Sequence, residues 1–149
     1  MDDFFDEIIE GIRPGETISY FDTVIDDDYD YFFEEYLGFI MRIISETDYK
    51  VLCWLSKKCK NHIDINMPEV FEKVASGQII FEVFDDQFND VDFILDTSLE
   101  HYSDFNLMVV DCYNILDLDK RKKYEKNYEA FQTFAKEIKV SVILGVPTK

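Results

Sequence analysis

Three aspartates follow predicted strands and could together bind a divalent cation. Asp111 follows the apolar run 107–110, and Asp85 and Asp86 follow the predicted strand 79–84. The carboxyl ends of parallel strands meet at one edge of a sheet, where open α/β folds bind their ligands. Carboxylate oxygens are ligands that Mg²⁺ prefers. The sequence therefore allows a Mg²⁺ site at this edge, although capping of the following helices is the simpler interpretation of these aspartates.

A second acidic group lies after the first predicted strand, 16–24, and extends into the first turn of the first long predicted helix, 29–46. Carboxylates in this position can cap the helix, because they accept hydrogen bonds from its free N–H groups and suit its positive dipole end. They also form a candidate contact surface for a basic partner protein. The four aspartates concerned are Asp26, Asp27, Asp28 and Asp30.

The composition favours an acidic globular protein of the cytoplasm. Hydrophobic residues make up 47% of the 149 residues, and the formal net charge is −17, so the chain can form a core but repels phosphate backbones. We therefore expect a protein partner, no direct nucleic-acid binding and no cofactor; the oligomeric state stays open. Cys53, Cys59 and Cys112 show neither metal-type spacing nor a disulfide pattern, as is usual in a reducing cytosol. No apolar run reaches membrane-spanning length, and the acidic N-terminus is unlike a signal peptide.

Strands alternate with helices along the chain, which predicts βαβ units and a mainly parallel sheet. The clearest helix is 29–46, where apolar residues recur every three or four positions. A short helix should begin at Pro68, and residues 57–67 are predicted to be an irregular connection. The length indicates one domain, 1–149. The other predicted elements are a helix at 2–12, strands at 16–24, 49–56, 79–84, 107–113 and 140–145, a helix whose buried side carries Phe88, Val91, Leu95, Leu99 and Tyr102, and a helix at about 119–138.

The order of these elements resembles the core of the RecA, DnaB and KaiC superfamily of ATPases. The likeness rests on the helix end, Pro-Gly turn and strand of residues 11–20, on the strand that ends in Asp111, and on the final helix and strand at 135–144. The resemblance implies an α/β fold of three layers, α/β/α, with a five-stranded, mainly parallel sheet in the order 3-2-4-5-1. It also implies that Asp111 is the Walker B carboxylate.

The segment after the first strand departs from that superfamily. A phosphate-binding loop reads GxxxxGK followed by Ser or Thr, with glycines for the anion nest, Lys for the phosphates and a hydroxyl for Mg²⁺. Residues 22–31 contain five aspartates but no glycine and no lysine. Asp111 alone cannot support ATP hydrolysis. The resemblance therefore implies a pseudo-ATPase without a P-loop, in which Asp111 is vestigial and the domain is regulatory or binds another protein.

Two other functions stay open at this point. The first is a Mg²⁺-dependent enzyme in which Asp85, Asp86 and Asp111 meet at the carboxyl edge of the sheet. The second is an acidic decoy that occupies the DNA-binding surface of a replication or recombination protein and inhibits it. The net charge of −17 agrees with the decoy, whereas the enzyme requires the three carboxylates to converge.

Overall fold

The computed structural model describes residues 10–23, 29–55, 57–66, 68–83, 91–111 and 121–148. The strands in these ranges are β1 (Thr17–Thr23), β2 (Val51–Leu55), β3 (Ile79–Val83), β4 (Leu107–Asp111) and β5 (Ser141–Thr148). The helices are α1 (Tyr29–Glu46), α2 (Lys57–Asn66), α3 (Glu69–Ala75), α4 (Val91–Leu99) and α5 (Arg121–Ile138). None of the helices so described is both long and apolar enough to cross a bilayer.

The strands form one sheet in the order β1-β5-β4-β2-β3, and all four pairings are parallel. Counted from the other edge, this is the order 3-2-4-5-1 that the resemblance implied. Every residue of β2 is buried, as are the first four residues of β4. Continuous apolar strands of this kind are typical of parallel sheets that are covered on both faces.

Helices cover both faces of the sheet and enclose two separate cores. One core contains Ile40 of α1, Ile63 of α2 and Val70 of α3. The other contains Ile94 of α4 and Phe131 of α5. Successive residues of β2 alternate between the two cores, because side chains along a strand point to opposite faces. The fold therefore has the three layers α/β/α.

The prediction of an irregular connection at 57–67 is wrong, because residues 57–66 form α2. The segment is polar, so its helical period is weak. Ile63 is nevertheless buried in the first core, and Lys60 Nζ lies 2.6 Å from Asp64 Oδ1 one turn later. Most helical stability in proteins comes from tertiary packing, and here the packing of Ile63 against the sheet supplies what the local sequence lacks.

The predicted buried side of α4 is confirmed for Val91, which is buried, and for Leu95, which packs against the second core. The prediction is wrong for Leu99, which is 46% exposed, and for Tyr102, which is 61% exposed and lies beyond the end of the helix. Ile94 and Ser98 are fully buried instead. Ser98 can lie on the buried side beside Ile94 because its hydroxyl has a partner on the sheet: the Trp54 indole N–H donates to Ser98 Oγ at 2.9 Å.

The remaining elements agree with their predictions except at their ends. Helix α1 has the predicted bounds, and α3 begins directly after Pro68. Strand β5 continues beyond its predicted end, and Pro147 pairs there with Asp22 of β1. On its other side, β5 pairs with β4, and the last described pair there is Asp111 with Gly145. At Pro147 the described part of β5 therefore has no neighbour on that side, where a residue without an N–H is tolerated. The parts of the predicted elements that lie outside the described residues are 2–9, Val24, Ser56, Met67, Phe84, Phe88, 112–113 and 119–120.

Candidate functional site

The carboxyl edge of the sheet is where the predicted site residues belong. Strands β2 and β3 end together, since Leu55 pairs with Val83. Asp111 is the last residue of β4 and pairs with Gly145 of β5. Strand β4 is the middle strand of the sheet. The backbone of Asp111 therefore lies at the centre of the edge at which open α/β sheets bind ligands.

The helices that follow β2 and β4 lie on opposite faces of the sheet. Strand β2 leads to α2, which packs in the first core, and β4 leads to α5, which packs in the second. Neighbouring strands whose connections diverge in this way leave a crevice between their carboxyl ends. Asp111 ends one of the two strands that border this crevice. That Asp111 is a vestigial Walker B carboxylate, or in the alternative a Mg²⁺ ligand, stays a prediction.

The described part of β1 reaches beyond the level of Asp111, the last described residue of β4. Gly145, which pairs with Asp111, also pairs with Tyr20, and three more pairs follow up to Thr23 with Thr148. At about 3.3 Å per residue, β1 ends about 10 Å beyond the level of Asp111. Because β5 lies between them, β1 and β4 are two strand spacings apart, again about 10 Å. The connection from β1 to α1 thus starts on the same edge of the sheet as Asp111, about 10 Å to the side of β4 and about 10 Å above the level of Asp111.

Most of the predicted site residues lie outside the described residues. Asp30 is in the first turn of α1 and Asp111 ends β4, but for both only the backbone is described. Within the described ranges, no three His, Cys, Asp or Glu side chains are grouped as metal ligands. That finding does not test the Mg²⁺ site, which stays a prediction. The residues that lie outside are Asp26, Asp27, Asp28, Asp85 and Asp86.

A buried hydrogen-bond network joins β2 and β4 to α4. Trp54 of β2 donates to Ser98 Oγ, and the Ser98 hydroxyl donates to the Ile94 carbonyl at 2.7 Å. The same oxygen lies 3.4 Å from Met108 Sδ of β4, and the Phe93 ring meets the Trp54 ring edge-on at 6.1 Å. The network was not predicted from the sequence. Two signals were available: the single tryptophan of the chain, whose indole N–H needs an acceptor when it is buried, and Ser98 within the predicted helix. The network fixes β2, β4 and α4 relative to one another.

An apolar groove of about 300 Å³ runs along β3 between α2 and α3. Phe71 and Val74 of α3 line it and are 49% and 42% exposed. Lys60 Nζ lies 5.9 Å from the centre of the Phe81 ring and is paired with Asp64. The sequence analysis missed the groove because its prediction for residues 57–67 removed one wall, α2. Its lining is suited to contact with apolar groups and offers no evident catalytic group.

No protein-family model matches the chain, and no curated protein matches it. Solved structures do match. One is the crystal structure of a KaiC-like protein from the hyperthermophilic archaeon Pyrococcus horikoshii, with a TM-score of 0.64 and 17% sequence identity. The match covers 97% of this chain and 67% of that chain. At this level of identity the likeness concerns the fold alone, and the chain therefore has the RecA/KaiC-like fold.

Proposed function

We propose that this protein is a RecA/KaiC-like regulatory or protein-interaction domain that does not hydrolyse nucleotides. The observation that carries the proposal is the composition of the connection between β1 and α1. In an ATPase of this fold, that connection is expected to hold the triphosphate. Here residues 24–28 include three consecutive aspartates, and Asp30 follows in the first turn of α1.

This connection carries negative charge, whereas a triphosphate needs positive charge and N–H donors around it. A phosphate-binding loop offers backbone N–H groups from glycine-rich turns and one lysine. Each pair of like unit charges 4 Å apart costs about 1 kcal/mol even in bulk water, and more where water is excluded. Several aspartates close to three phosphates would therefore cost several kcal/mol. The same carboxylates already suit the N–H groups at the start of α1.

Titration with ATP and Mg²⁺ in a calorimeter tests this proposal. We expect no saturable heat at micromolar protein and nucleotide, while a RecA-fold ATPase with an intact phosphate loop serves as the positive control. A saturable micromolar isotherm would show that the proposal is wrong. A hydrolysis assay on the same samples should release no phosphate above the level of the buffer.

Substitution of the edge aspartates tests the alternative of a Mg²⁺-dependent enzyme. If Asp111 is vestigial, Asp111→Asn should change neither metal affinity nor partner binding, and its effect on stability should be within about 1 kcal/mol. Asp85→Asn and Asp86→Asn should behave in the same way. Loss of a measured Mg²⁺ affinity or hydrolytic activity in any of these variants would support the enzyme in place of the interaction domain.

The partner that we propose is a protein with a basic surface. The net charge of −17 supports such a partner, because it attracts cationic surfaces and repels nucleic acid. The acidic connection Asp26–Asp28 with Asp30 is the surface that we propose for the contact. Exposed charge pairs are screened beyond about 8 Å at physiological ionic strength, so binding should weaken steeply as salt is added.

A further inference from the structure

The positive charges of the chain are absent from one long stretch. Between Lys73 and Lys120 there are 46 residues with no lysine or arginine and with eleven carboxylates. Helix α4 and the turn after it, residues 91–104, lie in the middle of this stretch. Their four carboxylates are all exposed, and none forms an ion pair within the described structure. They are Asp92, Asp96, Glu100 and Asp104.

The carboxylates of α4 are arranged unfavourably for the helix itself. Asp92, Asp96 and Glu100 are spaced four residues apart, so they share one side of the helix, and like charges at that spacing destabilise it. The bond from Glu100 N to the Thr97 carbonyl continues the helical path to Glu100. Asp96 and Glu100 also lie at the carboxyl end, where the helix dipole disfavours anions, and the last turn of α4 contains no basic residue. A cation supplied from outside would relieve both effects.

Apolar side chains are exposed on the same surface. Leu99 follows Asp96 by three residues, so it lies on the carboxylate side of α4, and it is 46% exposed. Tyr102, in the next turn, is 61% exposed. The turn is anchored by His101, whose Nε2 lies 2.7 Å from Glu82 Oε1 on β3. Apolar residues surrounded by charged ones are the arrangement of a protein interface, with an apolar centre and a polar rim.

We propose that residues 92–104 bind a Lys/Arg-rich segment of a partner protein, with Leu99 and Tyr102 in contact with its apolar parts. Charge complementarity selects this partner: nucleic acid and anionic membranes are repelled, and a second copy of the chain carries the same net charge of −17. The surface uses no residue of β1 or β4. The proposal therefore goes beyond the loss of hydrolysis and holds whether or not the protein binds ATP.

The test uses a fluorescein-labelled, helix-forming peptide with lysines on one face and leucines on the other, measured by anisotropy against the full chain. Asp96→Asn with Glu100→Gln should weaken binding about tenfold, since two close charge pairs with the lysines of the peptide are lost. Glu129→Gln with Glu137→Gln is the matched control, because it removes two exposed charges of α5. We expect the control to weaken binding less than about twofold, by long-range attraction alone.

A second pair of variants tests the apolar part of the surface. Leu99→Ser with Tyr102→Ser should weaken binding about fivefold. The control is Ile65→Ser, which removes an apolar side chain of α2 that is 77% exposed. Circular dichroism should show that all variants remain folded, because the substituted side chains are exposed.

Three results would overturn the proposal. Equal weakening by the two charge variants would mean that the chain binds cations only as a diffuse polyanion. Equal binding of a peptide with glutamate in place of lysine would exclude charge complementarity. Unchanged binding in both the charge variant and the Leu99/Tyr102 variant would place the contact elsewhere. The ATP titration is a separate measurement, so the proposed loss of hydrolysis can fail without affecting this result.

Discussion

Removal of the Ser98 hydroxyl should destabilise the protein, because it removes the acceptor of a buried indole N–H. Trp54 and Ser98 are both fully buried, and Trp54 Nε1 lies 2.9 Å from Ser98 Oγ. In Ser98→Ala this N–H loses that acceptor in a site closed to bulk water. The same change removes the contact of the hydroxyl with Met108 Sδ, so the link between β2, α4 and β4 is weakened at one point.

The magnitude follows from two opposing terms. A buried donor left without its acceptor costs about 1–3 kcal/mol, whereas serine to alanine in a helix gains roughly 0.5 kcal/mol. We therefore expect Ser98→Ala to lower the free energy of unfolding by about 1–2 kcal/mol. Ser45→Ala is the matched control: Ser45 is also the second-last residue of its helix and also donates to the carbonyl four residues earlier, but it is exposed. Its effect should be within about 0.5 kcal/mol.

Urea titration at pH 7 measures both values through the fluorescence of Trp54, the single tryptophan of the chain. A double-mutant cycle of Ser98→Ala with Trp54→Phe, followed by circular dichroism, isolates the pair. The coupling free energy should be at least about 0.5 kcal/mol. If Ser98→Ala were no more destabilising than Ser45→Ala, or if the coupling free energy were close to zero, the inferred role of this bond would be wrong.

Three further predictions concern the backbone and the acidic connection. Gly38→Ala should raise the free energy of unfolding by about 0.5–1 kcal/mol, because Gly38 is an exposed residue inside α1 and an added Cβ meets no atom within 4 Å; thermal and urea unfolding check this. Gly77, after α3, and Lys139, after α5, both have positive φ, of 78° and 58°. Gly77→Ala should therefore lower the free energy of unfolding by about 1 kcal/mol, and Lys139→Gly should raise it by up to that amount. Changes of the same sign in the two variants would contradict this reasoning. Replacing Asp26, Asp27, Asp28 and Asp30 by asparagine keeps their capping capacity but removes four charges, so the variant should fold normally and associate more slowly with a basic partner. An unchanged association rate and salt dependence in stopped-flow measurements would show that this connection is only a solvated cap.

Local sequence was enough to predict elements whose period and end signals are strong. Helix α1 has a long apolar period and the predicted bounds, and α3 begins after Pro68 because proline suits the start of a helix. Strand β2 is a short apolar run that is buried on both faces. The order of the sheet came with the resemblance and not from these patterns, since periodicity does not say which strands are neighbours.

The candidate site could be predicted only in part. The sequence places Asp111 at the end of an apolar strand, and a strand end is where a parallel sheet presents its ligand-binding edge. Which other strand ends lie beside Asp111 depends on the sheet order, which sets β5 between β4 and β1. The crevice between β2 and β4 also depends on which face each helix covers, and a single helix's own residues do not specify that.

The sequence by itself determined where the chain is helical or extended at its strongly periodic segments, and it determined the net charge of −17 on which the proposal of a basic partner rests. Tertiary structure alone decided that the polar segment of α2 is helical, through the burial of Ile63, and which side of α4 faces the sheet. The exposure of Leu99 depends on that choice of side. The physical reason is that an apolar period only requires some face to be buried, whereas contacts with the sheet, here the packing of Ile94 in the second core and the bond from Trp54 to Ser98, exist on one face alone.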